Sequence, residues 1–336
     1  MQEAKIMRDK LQKRCQLFIQ NRDIVKNAFG WESYYIYPLC ASLFTIRGLQ
    51  ADAGVMKDCR DLLKEKTGFF SNFRGISKMA TVSTLSLSPS PENKLNQLLD
   101  IYGKLKEVFW GSEYLTVAAS VISDMADPGQ YEQITHRTRT IYNRMKEAHP
   151  FLTSGEDSSF AALLALSELD DIYIEQEMER CYTLLKPYFF SGNAVQSLSH
   201  ILALGEGSAE LKCEKAMALF DYLKAHGHKY GTSYELATLG VLALLDTDVK
   251  TLAQDIMDVD DYLHPQKGFG AFGIGARQRL MYAGVLTMCD YMPQLQPMKT
   301  AALNGVVSLV IAQQAALCAS AAAAGAAAAS ASSSSS

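Results

Sequence analysis

The chain predicts an all-α fold: an array of about seven helical hairpins with a ~40-residue period, arranged as an α/α superhelix or a closed α/α toroid. Three observations lead there. Aromatic residues recur at Phe29, Phe69, Phe109, Phe151, Phe189, Tyr230 and Phe269, with gaps of 40, 40, 42, 38, 41 and 39 residues. Most are followed within four residues by a turn-forming stretch, such as Gly30, Ser71, Gly111-Ser112, Ser191-Gly192 or Gly270. Period-2 alternation is nowhere sustained, so no sheet is expected.

A lead helix over about residues 3–27 opens the array. Each repeat then divides into two helical halves. The A halves are short, apolar and rich in small residues, as in 79–88, 114–124, 159–168, 194–206 and 234–246. With few charges on any side they are expected to be buried nearly all round. The B halves are longer, charged and amphipathic. Leu95, Leu98, Leu99, Tyr102 and Leu105 form one helical stripe, and Tyr131, Ile134, Thr138, Ile141 and Met145 the next. Ile174, Met178, Cys181 and Leu185 form a third. Prolines and glycines punctuate the turns: Pro89, Pro91 and Pro128 after A helices, Pro150 and Pro187 after B helices. Ser88, Asp124, Glu168, Glu206, Asp246 and Asp290 recur at the A-to-B junctions, where short polar or acidic side chains are expected to cap the next helix.

A single repeat domain is expected over 1–297, an Ala-rich helix over 298–320 and a disordered Ala/Ser tail over 321–336. The last 37 residues, from Thr300, carry no charge, which leaves a membrane role for the tail open. Asn304, Gln313 and Gln314 argue instead for a helix packed on the array or on another copy, a route to self-association. The net charge of −4 and the lack of a long basic run argue against nucleic acid. Seven scattered cysteines without a CxxC pair, and a charged N-terminus without an apolar core, fit a cytoplasmic protein.

All B-to-A turns of such an array share one end, so polar groups near the starts of the A helices gather there. Glu113, Asp157, His200 and Glu235 are the candidate catalytic groups. Paired carboxylates can divide acid and base roles, as glycoside cleavage requires. Lys78, Trp110, Tyr114, Gln196, Tyr234, Arg277 and Arg279 are candidate ligand-binding residues. In a closed ring, Phe70, Trp110, Tyr114, Phe190 and Tyr234 would line the mouth of a central cavity. The plainer reading makes the aromatics staples between repeats and the polar groups caps or solvated surface.

Other motifs carry less. Gly268-Phe-Gly270-Ala-Phe-Gly273 satisfies GxGxxG but follows a helical unit rather than a strand, so no dinucleotide cofactor is expected. His226 and His228 supply two imidazoles where zinc wants three or four ligands, so no metal is expected. Asp170-Asp171 and Asp258, Asp260 and Asp261 lack DDxxD spacing and sit at helix boundaries. No GxSxG, HExxH or Walker loop is present.

The stretches 152–170, 196–206, 239–248, 267–272 and 311–316 together resemble an uncharacterised domain-of-unknown-function family of low-GC Gram-positive bacteria. That resemblance implies no activity, cofactor or site residue. The expected function is a non-catalytic helical-repeat binding or scaffold protein for an unknown protein, peptide or small molecule. The alternative is an α/α-toroid enzyme, of hydrolase or lyase/cyclase type, acting on a saccharide or isoprenoid-like substrate in a central cavity.

Overall fold

A computed structural model describes residues 7–75, 77–271 and 273–291. Among these residues the regular elements are fourteen α-helices and three short 3-10 turns, with no strand. The helices are α1 (Asp9–Ala28), α2 (Ile36–Thr45), α3 (Ala53–Lys66), α4 (Lys78–Ser86), α5 (Pro91–Val108), α6 (Glu113–Met125) and α7 (Tyr131–Ala148). They continue as α8 (Asp157–Ala165), α9 (Asp171–Leu185), α10 (Gly192–Leu202), α11 (Ala209–Ala225), α12 (Leu236–Ala243), α13 (Val249–Leu263) and α14 (Gly275–Tyr291). The expected tail helix and the segment after it lie outside the described residues.

Even-numbered helices are the apolar ones, and every residue of α2, α8 and α12 is buried. Several of their hydroxyls are satisfied within their own helix: Ser42 donates to the Pro38 carbonyl at 2.9 Å, Ser83 to Met79 at 2.8 Å and Thr45 to Ala41 at 2.7 Å, whereas Thr238 and Thr287 are buried without a hydrogen-bond partner among the described residues. A serine or threonine that bonds back one turn can be buried without leaving an unpaired polar group. Small residues also let these helices approach closely. A Cβ added to Gly240 in α12 would sit 3.0 Å from side-chain carbons of Leu198 and Ile201 in α10.

Most odd-numbered helices bury one stripe, which widens in α13 where the first helix packs against it. In α5 it is Leu95, Leu98, Ile101 and Leu105, with Leu99 and Tyr102 half-buried beside it. In α9 it is Ile174, Met178, Cys181 and Leu185, the set the spacing predicts. Capping falls later than the junction series anticipated. Asp52 accepts from Gly54 and Val55, Asp170 from Ile172 and Tyr173, Ser208 from Leu211 and Asp248 from Thr251. Three of these sit two residues beyond Glu168, Glu206 and Asp246, because each A helix runs out through a short irregular stretch before the next helix starts. Asp124 and Asp290 serve as ion-pair partners instead, Asp124 for Lys94 at 2.6 Å and Asp290 for Arg14.

Successive hairpins pack like on like. Among even helices α2 meets α4, α6 meets α8, and α10 and α12 continue the row to α14. Between α4 and α6, Thr116 donates to Ser77 at 2.8 Å. Among odd helices each from α1 to α11 meets the next odd one. A ring in each of five turns packs on the following odd helix: Phe73 on Tyr102 (5.1 Å between centroids), Phe109 on Tyr142 (5.2 Å), His149 on Tyr182 (4.3 Å), Phe189 on Phe220 (5.2 Å) and Phe269 on Phe18 (5.7 Å). The last of these joins the final turn to the first helix.

That meeting of first and last helices is extensive. α1 packs on α13 and α14, and α2 packs on α14. Arg14 bonds the Asp290 carboxylate, Arg8 bonds Asp255 at 2.5 Å, Tyr291 donates to Asp255, and Arg22 donates to the Lys267 carbonyl. Both carboxylates are buried, and each faces arginine or tyrosine donors that offset its lost hydration.

Candidate functional site

Four of the sequence-derived candidates converge between α6, α8 and α10. The loop before α8 curls so that the Ser154 N–H donates to the Asp157 carboxylate at 2.8 Å, fixing that side chain at the helix start. From α10, Gln196 donates to Thr153 Oγ1 at 2.8 Å, and His200 brings Nδ1 to 3.8 Å from Asp157 Oδ1. Tyr114 of α6 borders the same group, and the charges of Glu156, Glu113 and Asp157 add to burial in raising its phenol pKa.

Burial governs the electrostatics here. It lifts the Asp157 carboxyl from 3.8 to about 7, and it raises Glu156 as well. It lowers His200 to about 3, helped by the charge of His149. The 3.8 Å Asp157–His200 approach has ion-pair length, but the imidazole is held neutral, so it is a dipolar contact. His200 Nδ1 and Gln196 Oε1 have no hydrogen-bond partner. A carboxyl titrating near neutrality beside a neutral imidazole is chemistry that general acid–base catalysis uses. Both side chains are enclosed, however, and a substrate could not touch either without displacing α8 or α10.

The remaining candidates are dispersed. Lys78 pairs with Glu32 at 2.6 Å, joining the first two B-to-A turns. The Glu113 carboxylate fills the space over Gly75 that a Cβ would otherwise take. Glu235 is buried and accepts from the Ser233 N–H at 3.1 Å. Gln278 donates to the Tyr234 hydroxyl, and Arg277 is exposed. Arg279 is buried, reaching Asp260 at 2.7 and 3.1 Å and the Phe269 carbonyl at 3.1 Å.

Sequence reasoning missed the partner set around that arginine. His228, Asp260 and Asp261 place ligand atoms within 4.8 Å of one another, a spacing that a cation could use. Arg279 already bonds both Asp260 oxygens, and His228 adds a third bond at 2.9 Å. Burial works to raise the Asp260 carboxyl, but these bonds outweigh it and hold the pKa below its ordinary value. A metal would meet a fixed positive charge, so the cluster reads as a tie between α13 and α14. The other imidazole of the HxH pair turns away, with His226 bonding the Tyr222 carbonyl at 2.8 Å.

The aromatic residues expected around a cavity point elsewhere. Phe70, Trp110 and Phe190 are 94%, 95% and 101% exposed, Phe151 is 98% exposed and Trp31 is 69% exposed. One such ring stands in each of the first five B-to-A turns. These turns meet in sequence, through Lys78–Glu32, Thr116–Ser77, Tyr114 beside Gly155, and Gln196–Thr153, so the rings share one end of the molecule. The exposed aliphatic residues Leu49, Val55, Ile172 and Leu211 fall in A-to-B junctions or the first turns of odd helices, at the other end. Between α2, α4 and α6 a cavity of about 20 Å³, lined by Leu43, Ala80, Thr81, Thr116 and Ser120 among others, has room for a single water.

Comparison with known proteins adds a family and no activity. A family model described as "Protein of unknown function (DUF4003)" matches residues 21–315. The chain is 23% identical over 304 residues to the "Uncharacterized protein YeaA" of Bacillus subtilis (strain 168), covering 88% of this chain and 90% of that protein. No solved structure matches. Among the described residues no helix is long and apolar enough to cross a membrane.

Proposed function

The chain belongs to the DUF4003 family of proteins of unknown function, and from its own geometry we propose a non-catalytic binding protein: a closed ring of seven hairpins whose aromatic-tipped end is the recognition face. The observation that carries this reading is the set of five nearly equivalent rings, Trp31, Phe70, Trp110, Phe151 and Phe190, left in solvent at one end. Soluble surfaces rarely gather large apolar groups without a partner to cover them. The ring reading draws support from the packing of α1 on α13 and α14, and from the Phe18–Phe269 contact that repeats the staple between neighbouring hairpins.

Placing a photo-crosslinking phenylalanine analogue at position 110 or 151 in cells of the native host tests the face without presuming its partner. Adducts are expected from both positions and not from position 211 at the other end. Equal yields from all three, or none, would sink the reading.

A second reading rests on Asp157, whose carboxyl titrates near neutrality beside His200. It makes the α6–α8–α10 cluster an acid–base centre of an α/α-toroid enzyme. Turnover in a hydrolase and transferase screen, abolished by Asp157→Asn, would favour it over the binding reading. The burial of Asp157 and His200, and the all-round burial of α8, weigh against it.

A further inference from the structure

We propose that the aromatic-tipped end docks on the surface of an anionic lipid bilayer, as a peripheral protein that inserts turn tips rather than a helix. The inference rests on the binding-face reading above and names the occupant of that face.

Three observations favour a bilayer. The first is residue type. Trp31, Tyr34, Phe69, Phe70, Trp110, Phe151, Tyr188 and Phe190 are the exposed large apolar residues of the B-to-A turns, and all are aromatic, whereas the exposed aliphatic ones lie at the other end together with a single exposed ring among the described residues, Tyr173. Amphipathic rings concentrate at the headgroup level of membranes, where a flat polarisable face meets a mixed environment.

The second is shape. The five rings occupy corresponding positions in successive turns and project into solvent, Trp31 edge-on to Phe29 and Phe70 edge-on to the exposed Phe69, so they offer tips rather than a groove. A single-stranded nucleic acid or a peptide would call for a groove with rings set along its floor.

The third is charge. Each of four consecutive turns holds a cation whose hydrogen bonds and ring contacts among the described residues are to uncharged groups, although the charge of Lys146 also acts on Asp157. Arg74 lies over the Phe69 ring at 5.6 Å and donates to the Thr67 carbonyl, and Lys106 lies 5.9 Å from the Tyr102 ring. Lys146 donates to the Pro150 and Thr153 carbonyls, and Lys186 to those of Phe189 and Phe190. Their charge therefore remains available to lipid phosphates just behind the rings. Glu107 and Glu147 adjoin two of these lysines, and Glu113 and Glu156 stand half-buried in the same turns, so the rings carry most of the affinity and the salt dependence is expected to be shallow.

The chain supplies its own reporter, because Trp31 and Trp110 are its only tryptophans and both stand in the proposed contact. The full chain is mixed with vesicles of phosphatidylcholine containing phosphatidylglycerol, and in parallel with pure phosphatidylcholine, poly(U) or no addition. Expected results are co-sedimentation with the anionic vesicles, weaker with the neutral ones, and a blue shift of tryptophan emission that brominated lipid quenches. The triple variant Phe70→Ser, Phe151→Ser, Phe190→Ser keeps both tryptophans, and its melting temperature should stay close to the parent's because Phe151 and Phe190 stand in solvent and Phe70 meets the exposed Phe69 ring. Its partitioning should fall by more than ~30-fold.

No binding to either vesicle overturns the lipid assignment while leaving the binding face to the crosslinking result. Vesicle binding that the triple variant retains overturns it as well, since another surface is then responsible. A blue shift that grows with protein concentration alone identifies a second copy as the occupant, and one seen only with poly(U) identifies nucleic acid. Either outcome replaces the proposal.

Discussion

Burial acts in opposite directions on Asp157 and His200, and stability should record both. A carboxyl whose folded pKa rises from 3.8 to about 7 contributes stability that is present below the lower value and lost as pH climbs to the upper one. An imidazole depressed from 6.5 to about 3 contributes stability that is present above 6.5 and lost as pH falls towards 3. Between about pH 4 and 6.5 the two trends oppose each other. Asp157→Asn removes the ionisation cost and keeps an acceptor for the Ser154 N–H. It should therefore gain stability relative to the parent as pH rises from 5 to 8, read as a widening difference in thermal midpoint. His200→Phe should flatten the loss on the acid side between pH 6.5 and 4. Parallel pH profiles for parent and variants would contradict the burial argument. The burial of the apolar A helices was legible in the sequence, but the meeting of Asp157 at the start of α8 with His200 in the last turn of α10 was not, since local composition does not say which neighbour a buried polar group will face.

Elements carry a second lesson, about how neighbouring hairpins are held. The close contact of Gly240 with Leu198 and Ile201 makes Gly240→Ala a direct probe of even-helix packing. Alanine gains about 1 kcal/mol of helix propensity, and overpacking costs about 1–3 kcal/mol, so a net loss of about 1 kcal/mol is expected in chemical denaturation. A gain would mean that α10 and α12 yield easily. On the outer side, Phe109 packs edge-on against Tyr142, and Arg139 lies 4.9 Å from the Phe109 ring. Tyr142→Ala should cost about 2–4 kcal/mol, less than a fully buried ring because Tyr142 is half-buried. The sequence held a signal for these staples that the turn aromatics overshadowed: Tyr102, Tyr142, Tyr182, Tyr222 and Tyr262 recur at intervals of 40, and the first three receive a turn ring. Lys26, Lys66, Lys106, Lys146 and Lys186 do the same, and at least the last two tie down turn carbonyls.

For the whole molecule, the decisive contacts join residues about 250 positions apart, as in Arg8–Asp255. Asp290→Ala leaves Arg14 partly buried and without its carboxylate, a loss on the order of 3–5 kcal/mol. If the ring closes there, limited proteolysis of this variant should cut first near α1 or α14. Cleavage that begins in the middle of the array would argue that the seam is not what holds the ends together.

The sequence by itself determined that the protein is helical and that its helices alternate between apolar and amphipathic kinds, because each follows from local composition and periodicity. Only the tertiary structure decided which rings of the periodic series are buried. Phe29, Phe189 and Phe269 are enclosed, while Phe151 and the neighbouring Phe70, Trp110 and Phe190 stand in solvent. Adjacent aromatic residues in one turn have the same hydrophobicity, and only the position of the next odd helix selects the one it covers.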